Sequence, residues 1–187
     1  MNIINIIENC IELSIRRDRI NNTIENSKRF YYYAKVEGDM AFNRKDYEME
    51  KAYNNSARGY IETQDKAEKE LTQISQLLDT AYENYNNEIQ ISDENQLGDA
   101  IMILTLKKEE VERKIQKLTE RRQLASSKGD IAFANANYEE EKKYNEISLK
   151  CYLEIEKLKI LIKYYNKFIN DLNYHKNNKY SSNGHSK

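Results

Sequence analysis

Apolar and small residues recur along this chain at alternating steps of three and four, the spacing of a long helix that buries one seam. The first seam runs Ile6, Cys10, Leu13, Arg17, Ile20, Ile24, Ser27, Tyr31, Ala34, Gly38, Ala41. The rhythm then fails, and residues 43–46 supply turn formers with Asp46 as a candidate N-cap. A second seam follows: Glu50, Tyr53, Ala57, Tyr60, Gln64, Ala67, Leu71, Ile74, Leu78, Ala81, Tyr85. Beyond Tyr85 the pattern is lost again, and Asn86, Asn87, Ser92 and Asp93 predict a connection over residues 86–93.

The same rhythm then starts over. EGDMAFNRKDYEMEKAYN at positions 37–54 reappears as KGDIAFANANYEEEKKYN at 128–145, and eleven of the 21 positions from 34 to 54 are identical to those 91 residues later. Adding 91 to each seam position gives Leu97, Ile101, Leu104, Lys108, Val111, Ile115, Leu118, Arg122, Ala125, Gly129, Ala132 for a third helix. For a fourth it gives Glu141, Tyr144, Ser148, Cys151, Ile155, Leu158, Ile162, Tyr165, Ile169, Leu172, Lys176. Asn135 and Asn137 take the place of the first turn, with Glu140 spaced for a capping box. If each half is an antiparallel hairpin, small residues face large ones: Gly38 meets Tyr53, and Gly129 meets Tyr144.

The expected fold is therefore all-α, two tandem copies of a long antiparallel helical hairpin, arranged as a four-helix bundle or an elongated coiled-coil rod. Residues 1–91 form the first copy, 92–175 the second, and 176–187 a disordered polar tail, because the sequence from Asn173 onward loses its periodicity. Composition agrees. Proline and tryptophan are absent, glycine occurs five times, and charged residues make up 33% of the chain, so little punctuates the helices. No apolar run approaches the roughly 18 residues of a membrane span. The start of the chain lacks the basic and small-residue features of a signal peptide, which gives a cytoplasmic expectation with non-classical secretion left open.

With 30 basic against 31 acidic residues, there is no bulk field to attract nucleic acid or acidic lipid, so a protein partner or a second copy is the expected ligand. No phosphate-binding loop, nucleophile elbow, cysteine cluster or zinc-helix motif occurs. Asp39, Glu50, Asp130 and Glu141 recur in both copies and could hold a divalent metal in an all-α enzyme. The only histidines, His175 and His185, lie near the C-terminus, and that keeps the expectation at no metal and no cofactor. Arg17 and Lys108 sit at equivalent seam positions and are read as snorkelling edge residues. Cys10 and Cys151 are read as small core residues.

The repeated Gly-Asp-x-Ala-Phe turn has some of the spacing of a tetratricopeptide turn, but that family's period of roughly 34 residues does not divide 91. Half-chains of this length also resemble the WXG100 class of secreted helical hairpins. Tyr33 with Glu37, and Tyr152 with Glu156, fit its Tyr-x3-Glu export pattern, while its Trp-x-Gly turn has no counterpart. That resemblance implies a secreted effector or export substrate as the alternative reading. The leading expectation is a non-catalytic interaction scaffold, its candidate anchors Phe42, Tyr47, Phe133 and Tyr138 beside the two inner turns.

Overall fold

The computed structural model describes residues 2–181. Four helices are present, α1 (Ile3–Asn43), α2 (Tyr47–Ile91), α3 (Glu94–Ala134) and α4 (Tyr138–Ser181), and there is no strand among the described residues. Their lengths of 41, 45, 41 and 44 residues correspond to rods of about 60–70 Å at 1.5 Å per residue. Their boundaries repeat: Ile3, Asn43 and Tyr47 recur 91 residues later as Glu94, Ala134 and Tyr138. α1 pairs with α2 and α3 with α4, giving two tandem hairpins. Of the eleven seam positions on each helix only Arg122 is exposed, and its guanidinium lies 4.9 Å from the centre of the Tyr152 ring.

The α1–α2 shaft is held by Ile20, Ile24, Ala67 and Ile74, with Leu13 and Leu71 packed against them. Phe30 stacks on Tyr60 at 5.6 Å, and Arg16 Nη2 lies 2.6 Å from Glu70 Oε1 at the exposed margin. In α3 and α4 the most deeply buried side chains are Phe168, Leu97, Leu104 and Leu172. Each contributes about 2–3 kcal/mol by leaving water. Gly38 faces Tyr53, as the small-against-large pattern requires: a Cβ there would lie 3.5 Å from Tyr53 Cβ. At Gly129 the distance to Tyr144 Cβ is 3.6 Å.

Compactness does not follow the repeat boundary. Glu8–Asn84 forms one compact unit, while residues 2–7 join residues 85–181 in the other. In that second unit the Tyr85 hydroxyl donates to Asp171 Oδ2 at 2.7 Å, and its ring meets Phe168 edge-on at 5.1 Å.

Two boundaries differ from the sequence expectation. The connection expected over residues 86–93 shrinks to Ser92 and Asp93, because Tyr85 and Ile89 stay buried and carry α2 through Asn86 and Asn87 to Ile91. Asp93 then opens α3 with a capping box: its carboxylate accepts from Gln96 N, and Gln96 Oε1 accepts from Asp93 N. Residues 176–181, expected to belong to a polar tail, are helical instead, since α4 continues to Ser181. Lys179 explains the extension: its ammonium donates to the carbonyls of Gln90 and Ser92, both at 2.8 Å, where the end of α2 has no helical partners. Residues 182–187, the rest of that expected tail, lie outside the described residues.

Candidate functional site

The four aromatic candidates stand on two turns with the same backbone. At the first, Asp46 N–H donates to Ala41 O and Lys45 N–H to Phe42 O, both at 2.9 Å; at the second, Asn137 N–H donates to Ala132 O and Ala136 N–H to Phe133 O, again at 2.9 Å. This paired closure satisfies carbonyls at a helix end and needs a left-handed residue. Lys45 (φ 61°) and Ala136 (φ 54°) fill that place although neither is glycine. The following residue caps the next helix, Asp46 Oδ1 accepting from Met49 N at 3.2 Å and Asn137 Oδ1 from Glu140 N at 3.3 Å. The Asn137 amide also donates to Glu140 Oε2 at 3.0 Å, so Glu140 bonds the cap's side chain rather than its backbone.

A turn of this geometry brings the ring just before the closure against the ring just after it. Phe42 meets Tyr47 edge-on at 6.5 Å and 70°, and Phe133 meets Tyr138 at 6.4 Å and 69°. All four rings stay largely in water: Phe42 is 57% exposed, Tyr47 61%, Phe133 61% and Tyr138 64%. The structure thus joins the candidates in pairs, one pair on each hairpin tip. Exposed aromatics on a rigid turn can anchor a partner's apolar side chains at small entropic cost, because the turn is already closed.

The other singled-out residues lie elsewhere. Asp39 and Asp130 are exposed, Glu50 and Glu141 are half-buried, and Glu141 Oε1 accepts from the Asn145 amide at 3.3 Å. Among the described residues, no group of three or more His, Cys, Asp and Glu is gathered as a metal site would require. Arg17 Nη2 meets Asp18 Oδ1 at 3.1 Å and Lys108 Nζ meets Glu112 Oε1 at 3.6 Å, so each half-buried cation reaches a carboxylate on its own helix. Cys10 and Cys151 are both buried in their seams. His175 Nε2 lies 3.8 Å from Asp171 Oδ1, and His185 is outside the described residues. No helix among the described residues is long and apolar enough to cross a membrane.

One feature escaped the sequence reading. Midway along the α3–α4 hairpin an open cleft of about 670 Å³ has Val111, Leu158 and Leu161 in its lining and the exposed cations Arg113, Lys114 and Lys117 along α3. A signal existed: 91 residues earlier the cationic positions are Asn22, Thr23 and Asn26. The near-zero net charge of the whole chain conceals that local difference. No protein-family model, curated protein or solved structure matches the chain.

Proposed function

We propose that the protein is a non-catalytic interaction scaffold whose hairpin tips each present an exposed Phe–Tyr pair to a partner protein. The observation that carries this reading is the duplicated, outward-facing ring pair: Phe42 with Tyr47, and Phe133 with Tyr138, at matching distances and angles. Rings that only closed their own hairpins would be covered by them. These four are more than half exposed, while the closing work at each turn is done by backbone bonds.

The test compares stability with partner capture. Photo-crosslinking from positions 42 and 133 in the native host, followed by mass spectrometry, identifies what touches the tips. The doubled variant Tyr47→Ala with Tyr138→Ala is then expected to lose that capture while unfolding within about 1 kcal/mol per site of the parent, since little buried ring area is removed. A destabilisation of about 3–5 kcal/mol, the cost of losing a packed aromatic, would defeat the proposal.

A further inference from the structure

The cleft on the α3–α4 hairpin differs from the corresponding stretch of α1–α2 in two coupled ways. Its lining is more apolar, because Leu158 stands where the first copy has Ala67 and Leu161 where it has Glu70. Its cations are new, because Arg113, Lys114 and Lys117 stand where the first copy has Asn22, Thr23 and Asn26, while Glu110, in place of Arg19, sets one carboxylate beside them. In the first copy Glu70 is occupied by Arg16, and no equivalent bond can form at Leu161. Both changes open one place on one hairpin to the same kind of ligand.

The charges there are available. Lys114 Nζ is engaged by Glu154 Oε1 at 3.2 Å, but Arg113 makes only a long bond, 3.4 Å from its Nε to the Glu109 carbonyl, and Lys117 has no ion pair among the described residues. Arg113 and Lys117 are four residues apart on one helix and so project from the same face, about one turn from each other. Val111 and Leu161 are half-buried and Leu158 buried, leaving apolar surface in the cleft with nothing from these two helices laid over it.

We infer that this cleft binds an acidic amphipathic helix of another protein, whose carboxylates at i and i+4 meet Arg113 and Lys117 while its apolar face covers Val111 and Leu161, beneath which Leu158 is already buried. Charge complementarity chooses the flanks of that ligand and the apolar lining chooses its face. A nucleic-acid backbone fits worse, because it would leave the apolar lining of the cleft uncovered. The inference stands apart from the aromatic tips, and either can fail without the other.

The experiment uses the full chain and a fluorescein-labelled helix-forming peptide of about 18 residues, leucine at i, i+3, i+4 and i+7 and glutamate on both flanks. Anisotropy is expected to show saturable binding with a micromolar Kd that weakens as salt is raised from about 50 to 500 mM. Arg113→Asn with Lys117→Asn gives this site the residues of the first copy, where they are carried within α1, and is expected to weaken binding about tenfold with melting nearly unchanged. Leu161→Glu, again the first copy's residue, is a second variant expected to weaken binding through the lining. Tyr47→Ala with Tyr138→Ala is expected to leave this affinity untouched. Absence of saturable binding at about 1 mM peptide would overturn the inference. So would equal binding of a scrambled peptide of the same composition, tighter binding of duplex DNA, or full affinity in the folded variants.

Discussion

The tips of the two hairpins use the same two backbone bonds and the same Phe–Tyr pair, whereas their shafts bury different residues at matched positions. Ala67 becomes Leu158, Ile74 becomes Tyr165, and Leu77, 55% exposed, becomes Phe168, 1% exposed. A turn is specified by local bonds that each copy must make for itself. A shaft position is specified by whatever packs against it, and in the second copy that includes the end of α2, which brings Tyr85 to Phe168. Duplication has therefore kept the heptad rhythm while letting individual positions change sides between core and solvent.

The largest expected effect follows from that exchange. Phe168→Ala removes a fully buried ring and its contact with Tyr85, and should lower unfolding free energy by about 3–5 kcal/mol. Leu77→Ala, at the matched position, should change it by less than about 0.5 kcal/mol, as exposed substitutions do. Urea denaturation of both variants decides the point. Similar losses at the two sites would show that the shafts are not differentiated as described.

Next in size is the bond between the end of α4 and the end of α2. Lys179→Met keeps most of the aliphatic stem but removes both donors to Gln90 and Ser92 carbonyls, and should cost about 1–2 kcal/mol. Amide exchange should quicken over residues 88–97 and stay unchanged at the tips. The matched position on α2 is Glu88, which carries no donor, so the clamp belongs to the second copy alone. Unaltered exchange over that connection would remove the reason given for α4 reaching Ser181.

Much of this was legible in advance because a heptad seam is a one-dimensional signal. The alternation of three and four placed the buried face of all four helices, and the 91-residue offset placed both inner turns, at residues 43–46 and 134–137. Asn86–Asn87 and the polar, aperiodic stretch after residue 175 suit turns and tails by composition, but Ile89 burial and the Lys179 bonds are tertiary, and these hold the helices. The aromatic candidates were found through their repetition, although their exposure was not readable from sequence. The cationic cleft is invisible in the positions the copies share, because Arg113 and Lys117 stand where the copies differ.

The tips themselves carry removable strain. Lys45→Gly and Ala136→Gly each relieve a side chain held at positive φ, and each should stabilise its hairpin by about 1 kcal/mol after the extra chain entropy of glycine is subtracted. Because the two turns share one geometry, the two gains should agree closely in thermal melts. A gain at one turn and a loss at the other would break their equivalence.

The smallest effect separates Gly38 from Gly129, which otherwise occupy one site in the repeat. Both are helical, so alanine should gain about 0.5–1 kcal/mol from reduced freedom of the unfolded chain. At Gly38 the new Cβ would sit 3.4 Å from Asn54 Oδ1 and 3.5 Å from Tyr53 Cβ, ordinary contact distances, and the gain should appear in full. At Gly129 it would sit 3.2 Å from Asn145 Oδ1, so the amide must move, and its 3.3 Å bond to Glu141 is strained as it does. Gly129→Ala should therefore fall short of Gly38→Ala by a few tenths of a kcal/mol. A double-mutant cycle with Asn145→Ala isolates that crowding: against an alanine at 145, Gly129→Ala should recover the full gain seen at Gly38. If the shortfall persists without the Asn145 amide, its cause lies in the backbone approach of α3 and α4, and the two glycine sites differ more deeply than their side-chain neighbours suggest.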